Sequence, residues 1–350
     1  MIDYIKADID NIARSARTYL PEDAAVFVTG ATGLIGASII KGLLECNKQY
    51  GTRIKAIAFV RDEKKLAAKL GDYYRDDYLS IAVGNIMNEI TCEGKVDYVI
   101  HTASVTASSF MATNPVEVSK TNLIGIYNLL DFSMQKQVRS VVYLSSVEVY
   151  GAFGTEEKTV KESELGYLDI LNTRSCYSEG KRMAENICAS YAKEYGLNVK
   201  IARLTQTFGA QVDEADNRLF AQLARSAAED KDIVLHTTGE SAKSYCYLTD
   251  TISALFVLLV KGASGRAYNI ANSETYISVK DLAELIKDVF GQGKIRVVYD
   301  IPENGSGLGY APPYKVNMDC SELKELGWQP EYGLKEMFAR AIETIKGGKV

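Results

Sequence analysis

The sequence predicts an α/β fold, a doubly wound parallel sheet carrying a smaller C-terminal lobe. Three observations predict it. From residue 26 to about 205, short apolar runs alternate with amphipathic stretches. The runs show no polar–apolar alternation, as befits strands covered on both faces. The first run, VFVTG, passes through Gly30, Gly33 and Gly36 into the helical stretch LIGASIIKGLL.

The strands are expected at 25–30, 54–60, 78–84, 97–103, 140–146 and 198–204, with helices at 34–46, 116–135 and 177–195 between them. Another strand is expected at 267–272 and another helix from about Ser278. ISALFVLLV at 252–260 is about half of the roughly 20 residues that a membrane span needs, so it reads as a buried helix. The opening MIDYIKADIDNIARSARTYL is acidic and mixed, unlike a signal peptide. Its Ile2, Ile5, Ile9 and Ile12 recur at helical spacing, which predicts a short helix docked on the body or on a partner subunit. The expected organisation is a helical extension over 1–21, a main domain over 22–206 with 245–275, and a lobe over 207–244 with 276–350. ENGSGLGYAPPY (303–314) reads as a Gly/Pro-rich loop and TEEKTVKESE (155–164) as a solvated one.

Apolar residues make up 47% of the 350 and charged residues 24%, enough for a large core. A net charge of −5 gives no general attraction to nucleic acid or to an anionic membrane. The six cysteines are scattered without a C-x-x-C pair, which suits free thiols in a reducing cytoplasm. Two distant histidines, His101 and His236, argue against a metal site.

The glycine triplet between strand and helix is the strongest local signal. Glycines there let the backbone turn sharply and approach a pyrophosphate at the positive helix N-terminus. That predicts a Rossmann-type dinucleotide site, with Gly30, Thr32, Gly33, Leu34, Ile35 and Gly36 as contacts. At the end of the second strand, Asp62 would suit the ribose hydroxyl of NAD and Arg61 the 2′-phosphate of NADP. The two leave the choice open. CYSEGKRMAE (176–185) then sets Tyr177 and Lys181 four apart, on one face of a helix.

With these residues the chain resembles the extended short-chain dehydrogenase/reductase family, the NAD-dependent epimerases and dehydratases of nucleotide sugars. TGATGLIG resembles its T-G-x-x-G-x-x-G, and GNI at 84–86 its adenine-contacting G-D-I, with Asn85 and Ile86. HTAS at 101–104 contributes Thr102 and Ala103, and TNLIGIYNLL fits the helix that follows. SSVEVYG is similar to S-S-x-x-V-Y-G and puts Ser146 at the catalytic Ser/Thr position. YSEGK supplies the Y-x-x-x-K, and DCSELKELGWQP (319–330) resembles the motif of the family's substrate lobe. Gln206 in RLTQTFG stands where an Asn usually contacts substrate, and Lys243 where an Arg commonly meets the diphosphate. RSCYSEGKRMAE is most similar to the UDP-glucuronate decarboxylase branch.

The resemblance implies oxidation of a sugar carbon, expected at C4, by NAD or NADP; the family favours NAD and Arg61 argues for NADP. It implies that Tyr177 is the base, its phenol lowered by Lys181 and by the nicotinamide cation, with Ser146 sharing the proton. Glu148 is expected to steer the following decarboxylation or epimerisation, or else to pair with a nearby base. Val147 between Ser146 and Glu148 lacks the acid of a 4,6-dehydratase. Arg174 is a substrate candidate and Arg203 a diphosphate candidate, while Tyr150 and Tyr245 are expected to pack. The resemblance also implies a homodimer paired through the helices at 116–135 and from Tyr177. The alternatives are an NADPH-dependent carbonyl reductase of the same fold and a non-catalytic dinucleotide sensor.

Overall fold

A computed structural model describes residues 2–153, 158–301 and 315–348. The predicted loop 303–314 and Thr155–Glu157 lie outside the described residues. The chain runs α1 (Tyr4–Tyr19), β1 (Ala25–Thr29), α2 (Leu34–Tyr50), β2 (Lys55–Val60), α3 (Glu63–Leu70), β3 (Leu79–Val83), β4 (Tyr98–His101), α4 (Ser108–Thr113), α5 (Pro115–Gln135) and β5 (Ser140–Ser146). Next come β6 (Lys158–Val160), α6 (Cys176–Tyr195), β7 (Val199–Leu204), β8 (Gln206–Phe208), α7 (Leu219–Ala228), β9 (Ile233–Leu235), β10 (Ala242–Tyr247) and α8 (Leu248–Lys261). It continues through β11 (Ala267–Ile270), β12 (Asn272–Ser278), α9 (Val279–Phe290), β13 (Val297–Tyr299), β14 (Lys315–Met318), α10 (Ser321–Glu325) and α11 (Leu334–Lys346).

Seven parallel strands form the main sheet in the order β11-β7-β5-β4-β1-β2-β3. Successive side chains of a strand point to opposite faces. Val26 and Val28 of β1 enter the core shared with α2 and α8, while Ala25 and Phe27 enter the core shared with α5 and α6. Both faces of the central strands are therefore dry, and β1 and β4 read as apolar runs. The strand order reverses between β1 and β4, opening a crevice at their carboxyl ends.

The amino-terminal stretch is a helix docked on the chain's own body. Asp3 caps α1 by accepting from Lys6 N at 3.1 Å. Ile9 and Ile12 are buried, while Ile2 is 66% exposed and falls outside the packed stripe. Gly42 of α2 makes the socket: a Cβ there would stand 2.1 Å from Ile12 Cγ2. Asp8 ties α1 to the smaller lobe, accepting from Tyr247 Oη at 2.8 Å and from Ala210 N at 3.2 Å.

That lobe holds a second sheet, β12-β10-β14-β6 with β8 beside β10, and the pair β13-β9. Most of these strands are three or four residues long and escape sequence reading. β6 falls within the segment assigned by sequence to the main domain, yet it pairs with β14 in the second sheet.

Lys200 of β7 is buried with the Ser140 hydroxyl, 2.7 Å away, as its one hydrogen-bond partner among the described residues. Burial pushes its pKa down to about 8. The folded state therefore holds this proton more weakly than the unfolded one. The cost is full below pH 8 and fades as pH rises towards the ordinary lysine value. Lys200→Met should stabilise the protein by about 1–3 kcal/mol at pH 7, with a smaller gain near pH 10. Denaturant titrations at the two pH values measure it, and an unchanged or lower midpoint at pH 7 contradicts it.

Candidate active site

The glycine loop closes the crevice between β1 and β4. Gly30 sits in the left-handed region at φ 65°. A Cβ there would stand 2.7 Å from Ala103 N and from Thr102 Oγ1. At Gly36 it would stand 2.4 Å from Gly30 O. Gly33 is the N-cap of α2 and supplies no side-chain acceptor, so the first-turn amides of α2 are left to a ligand. Thr102 Oγ1 donates to Thr29 O at 2.7 Å and Ala103 N to Thr29 Oγ1 at 3.2 Å, locking the two strand ends together. Thr32 lies in the loop, and Leu34 and Ile35 pack half-buried under it. A pyrophosphate needs a tight turn, close backbone and a helix N-terminus, and this cradle supplies all three.

His101 bonds Thr29 Oγ1 through Nδ1 at 2.7 Å, and burial pushes its pKa down to about 3. It is a neutral part of the frame. Among the described residues no group of His, Cys, Asp and Glu is placed to hold a metal.

At the outer strand tips, Asp62 Oδ1 caps α3 by accepting from Lys65 N at 3.0 Å, and Arg61 is exposed. Asn85 Oδ1 accepts from Met87 N at 3.0 Å, and Ile86 packs against Gly125.

On the other side of the crevice Ser146 ends β5, and its Oγ accepts from Glu148 N at 3.2 Å. Tyr177 and Lys181, one turn apart on α6, are both buried beside it. Lys181 Nζ donates to Leu144 O at 2.7 Å and stands 5.8 Å from the Tyr177 ring centre. α5 and α6 approach closely because a Cβ at Gly180 would meet Asn122 Nδ2 at 2.8 Å. The resemblance implied a phenol lowered by Lys181 and the nicotinamide cation together, whereas the protein's own groups leave it raised. Burial first, then the charge of Glu148, pushes the Tyr177 pKa up to about 12. Ser146, Ser104 and Arg174 pull it down by less. Burial likewise pushes Lys181 down to about 8, against the upward pull of Glu185.

Glu148 and Arg174, read separately from the sequence, meet in the structure. Arg174 Nη1 and Nη2 lie 3.3 and 3.4 Å from the two Glu148 oxygens, and Ser178 Oγ donates to Glu148 at 3.2 Å. Arg203 is not brought to the crevice. It is buried and donates to Glu185 at 2.7 Å through Nη2, and to Tyr150 Oη and Glu162 O through Nη1. Four of its five N–H groups are thus taken up by protein partners, and the buried guanidinium joins β7 to α6. Gln206 and Lys243 fall on the adjacent strands β8 and β10 of the second sheet, Lys243 Nζ lying 5.9 Å from the Tyr245 ring centre. Tyr150 and Tyr245 are buried.

Sequence reasoning missed Ser104, although it stands in the quoted HTAS. It also missed Ser178, inside the Tyr–Lys motif, and Arg182. Arg182 donates to Val149 O and to Gly166 O, each at 2.8 Å, and holds the lip of the crevice in place.

Residues 26–271 match the sequence profile of the NAD dependent epimerase/dehydratase family. The chain belongs to that family. It is 27% identical over 320 residues to UDP-glucuronic acid decarboxylase 6 of Arabidopsis thaliana, covering 91% of this chain and 88% of the relative. It is 29% identical over 254 residues to UDP-glucuronic acid decarboxylase 1 of Xenopus tropicalis, covering 72% of this chain and 57% of the relative. Among solved structures it resembles UDP-glucose 4-epimerase of Thermotoga maritima (TM-score 0.75, 22% identity, 93% and 99% of the two chains). It also resembles UDP-glucuronic acid 4-epimerase of Bacillus cereus in complex with NAD (TM-score 0.74, 18% identity, 93% and 100%). These likenesses show the fold of the chain.

Removing Arg203 would leave Glu185 buried without its cation. Arg203→Ala should cost the protein about 3–5 kcal/mol of stability. Chemical denaturation measures it; a loss of nucleotide-sugar affinity with an unchanged unfolding midpoint would return Arg203 to the substrate site.

Proposed function

We propose that the enzyme oxidises the sugar of a nucleotide sugar at C4 and then decarboxylates a C5 carboxylate. The observation that carries this reading is the Tyr177 phenol buried beside Ser146, at a strand end that faces the glycine cradle across the crevice. The relatives named UDP-glucuronic acid decarboxylases support the second step. Bound dinucleotide supplies the hydride acceptor. Tyr177 Oη takes the C4 hydroxyl proton, and Ser146 Oγ donates to the carbonyl oxygen as it forms. With a ketone at C4, the electrons of the C5–carboxylate bond move towards its oxygen and CO2 leaves. Glu148, once it has taken a proton from solvent, would pass it to C5, and Tyr177 would return its proton to the C4 oxygen as the borrowed hydride goes back to C4. Val147 offers no proton to a departing hydroxide, which disfavours dehydration. Arg174, held against Glu148, is the cation that would meet the sugar carboxylate; Gln206 and Lys243 remain the residues proposed for the rest of the substrate.

Epimerisation is the second reading, since Glu148 and Arg174 stand where the fate of C5 is decided. Incubation with a panel of nucleotide sugars separates the two. Product lighter by one CO2 supports decarboxylation, whereas unchanged mass with a shifted retention time supports epimerisation. Stoichiometric consumption of reduced dinucleotide would instead indicate a reductase.

Tyr177→Phe should lower turnover by about 10²–10⁴-fold and leave dinucleotide affinity nearly unchanged. Retained turnover would reject Tyr177 as the base. Glu148→Gln should let a borohydride-reducible 4-keto sugar accumulate. Full activity in that variant would reduce Glu148 to an anchor for Arg174.

We also infer a homodimer through α5 and α6, because Ile124, Tyr127, Met183 and Tyr195 leave large apolar surface exposed on these neighbouring helices. A monomeric mass by light scattering would refute it.

A further inference from the structure

We propose that Ser104 is a positioning residue for the proton transfer: its hydroxyl donates to the Tyr177 oxygen when that oxygen becomes a phenolate. The inference rests on Tyr177 as the base and deepens that reading by one residue. The sequence marked this loop for Thr102 and Ala103 alone, as dinucleotide contacts.

The loop after β4 fixes the hydroxyl in place. Thr102 Oγ1 and Ala103 N are tied to Thr29, so Ser104 follows directly from an anchored strand end. Val105, next along the chain, packs against the buried cluster of Tyr177, Met111 and Val118, which sets Ser104 beside the phenol. Ser104 Oγ is buried and makes no well-aligned hydrogen bond to any described residue. It is nevertheless close enough to Tyr177 to pull the phenol's pKa down. A buried hydroxyl without a partner costs free energy in the resting protein. That cost falls away when a strong acceptor forms next to it.

The proposed reaction forms such an acceptor there. A phenol that keeps its proton accepts weakly, whereas a phenolate takes charge-assisted bonds. Ser146 has one hydroxyl proton, and the reaction directs it to the C4 oxygen. A second hydroxyl can meet the phenolate without leaving the C4 oxygen unattended. Ser104 keeps its own proton throughout, and the proton that Tyr177 gains comes from the C4 hydroxyl. A donor held by the strand frame where negative charge appears need not reorganise during the step. The charged and titratable groups around the phenol are Glu148 after β5, Arg174 ahead of α6, Cys176 and Lys181 on α6, and Tyr143 on β5. Glu148 opposes the phenolate, and Ser104 joins Ser146 and Arg174 in favouring it.

Titration of the Tyr177 phenol in the full chain tests this without any sugar. The tyrosines are replaced biosynthetically by fluorotyrosine, and the fluorine resonance that Tyr177→Phe removes is followed against pH by NMR. In Ser104→Ala the phenol should be less acidic by about tenfold, its pKa higher by about one. Ser104→Thr, which keeps the hydroxyl, should restore most of that loss. The unfolding midpoint of Ser104→Ala should be unchanged or higher, because the buried group it removes has no partner. With a substrate that turns over, the acid limb of the kcat profile should move to higher pH by the same amount while KM stays within about twofold. An unmoved phenol in Ser104→Ala, or Ser104→Thr behaving like Ser104→Ala, overturns the proposal. A lower midpoint with an unmoved phenol makes Ser104 a packing residue and overturns it too. A moved phenol in a protein that turns over no nucleotide sugar keeps the donor and overturns the proposed reaction instead.

Discussion

The structure turns on how closely two strand ends approach each other. Where the strand order reverses, β1 and β4 leave in opposite directions, and the crevice between them would widen unless something held it. Thr29, Thr102 and Ala103 hold it through side-chain to backbone bonds. The contact is so close that Gly30 and Gly36 have no room for a Cβ. The fold thereby fixes, at one place, a bare backbone turn, a helix N-terminus and the mouth of the crevice. The chemical residues are arranged around this fixed point. Ser146 reaches it because β5 is the neighbour of β4, and Tyr177 because α6 packs on α5 through Gly180.

How far this was legible in the sequence follows from where each residue finds its partners. The seven parallel strands are covered on both faces, so each carries an apolar run that stands out. The glycine loop and the Tyr–Lys pair are legible because their partners lie within one loop or one helical turn. The short strands of the second sheet pair across long stretches of chain, β6 with β14 and β8 with β10, and nothing local marks them. Arg203 shows the same limit at the level of a single side chain. At the end of a strand it reads as a phosphate ligand, but Glu185 and Tyr150, 18 and 53 residues away, enclose it. The encounter of Glu148 with Arg174 was likewise open in sequence, since a carboxylate and a guanidinium 26 residues apart carry no sign that they will meet.

The tyrosine marks a different limit, one of energetics rather than of geometry. Its placement was legible, but its acidity was not, because desolvation depends on how much of the protein surrounds the oxygen. Burial that excludes water from the reaction also opposes the phenolate that the reaction needs. At a pKa of about 12, ionisation at neutral pH lies some 4–5 units uphill, roughly 6 kcal/mol. A unit positive charge about 5 Å from an oxygen, at an effective dielectric near 20, returns roughly 3 kcal/mol. One further cation therefore does about half of what is required. Lys181 is already beside the phenol in the value of about 12. Its own burial brings its pKa to about 8, so it carries that charge at neutral pH and gives it up not far above. On the proposed mechanism a further charge would arrive with the oxidised nicotinamide ring. The phenol would then become competent only once the ligand that accepts the hydride is in place. Proton removal would thereby be tied to the presence of an acceptor for the electrons. A protein holding reduced dinucleotide would leave the same tyrosine protonated, ready to give its proton back to the C4 oxygen as the hydride returns.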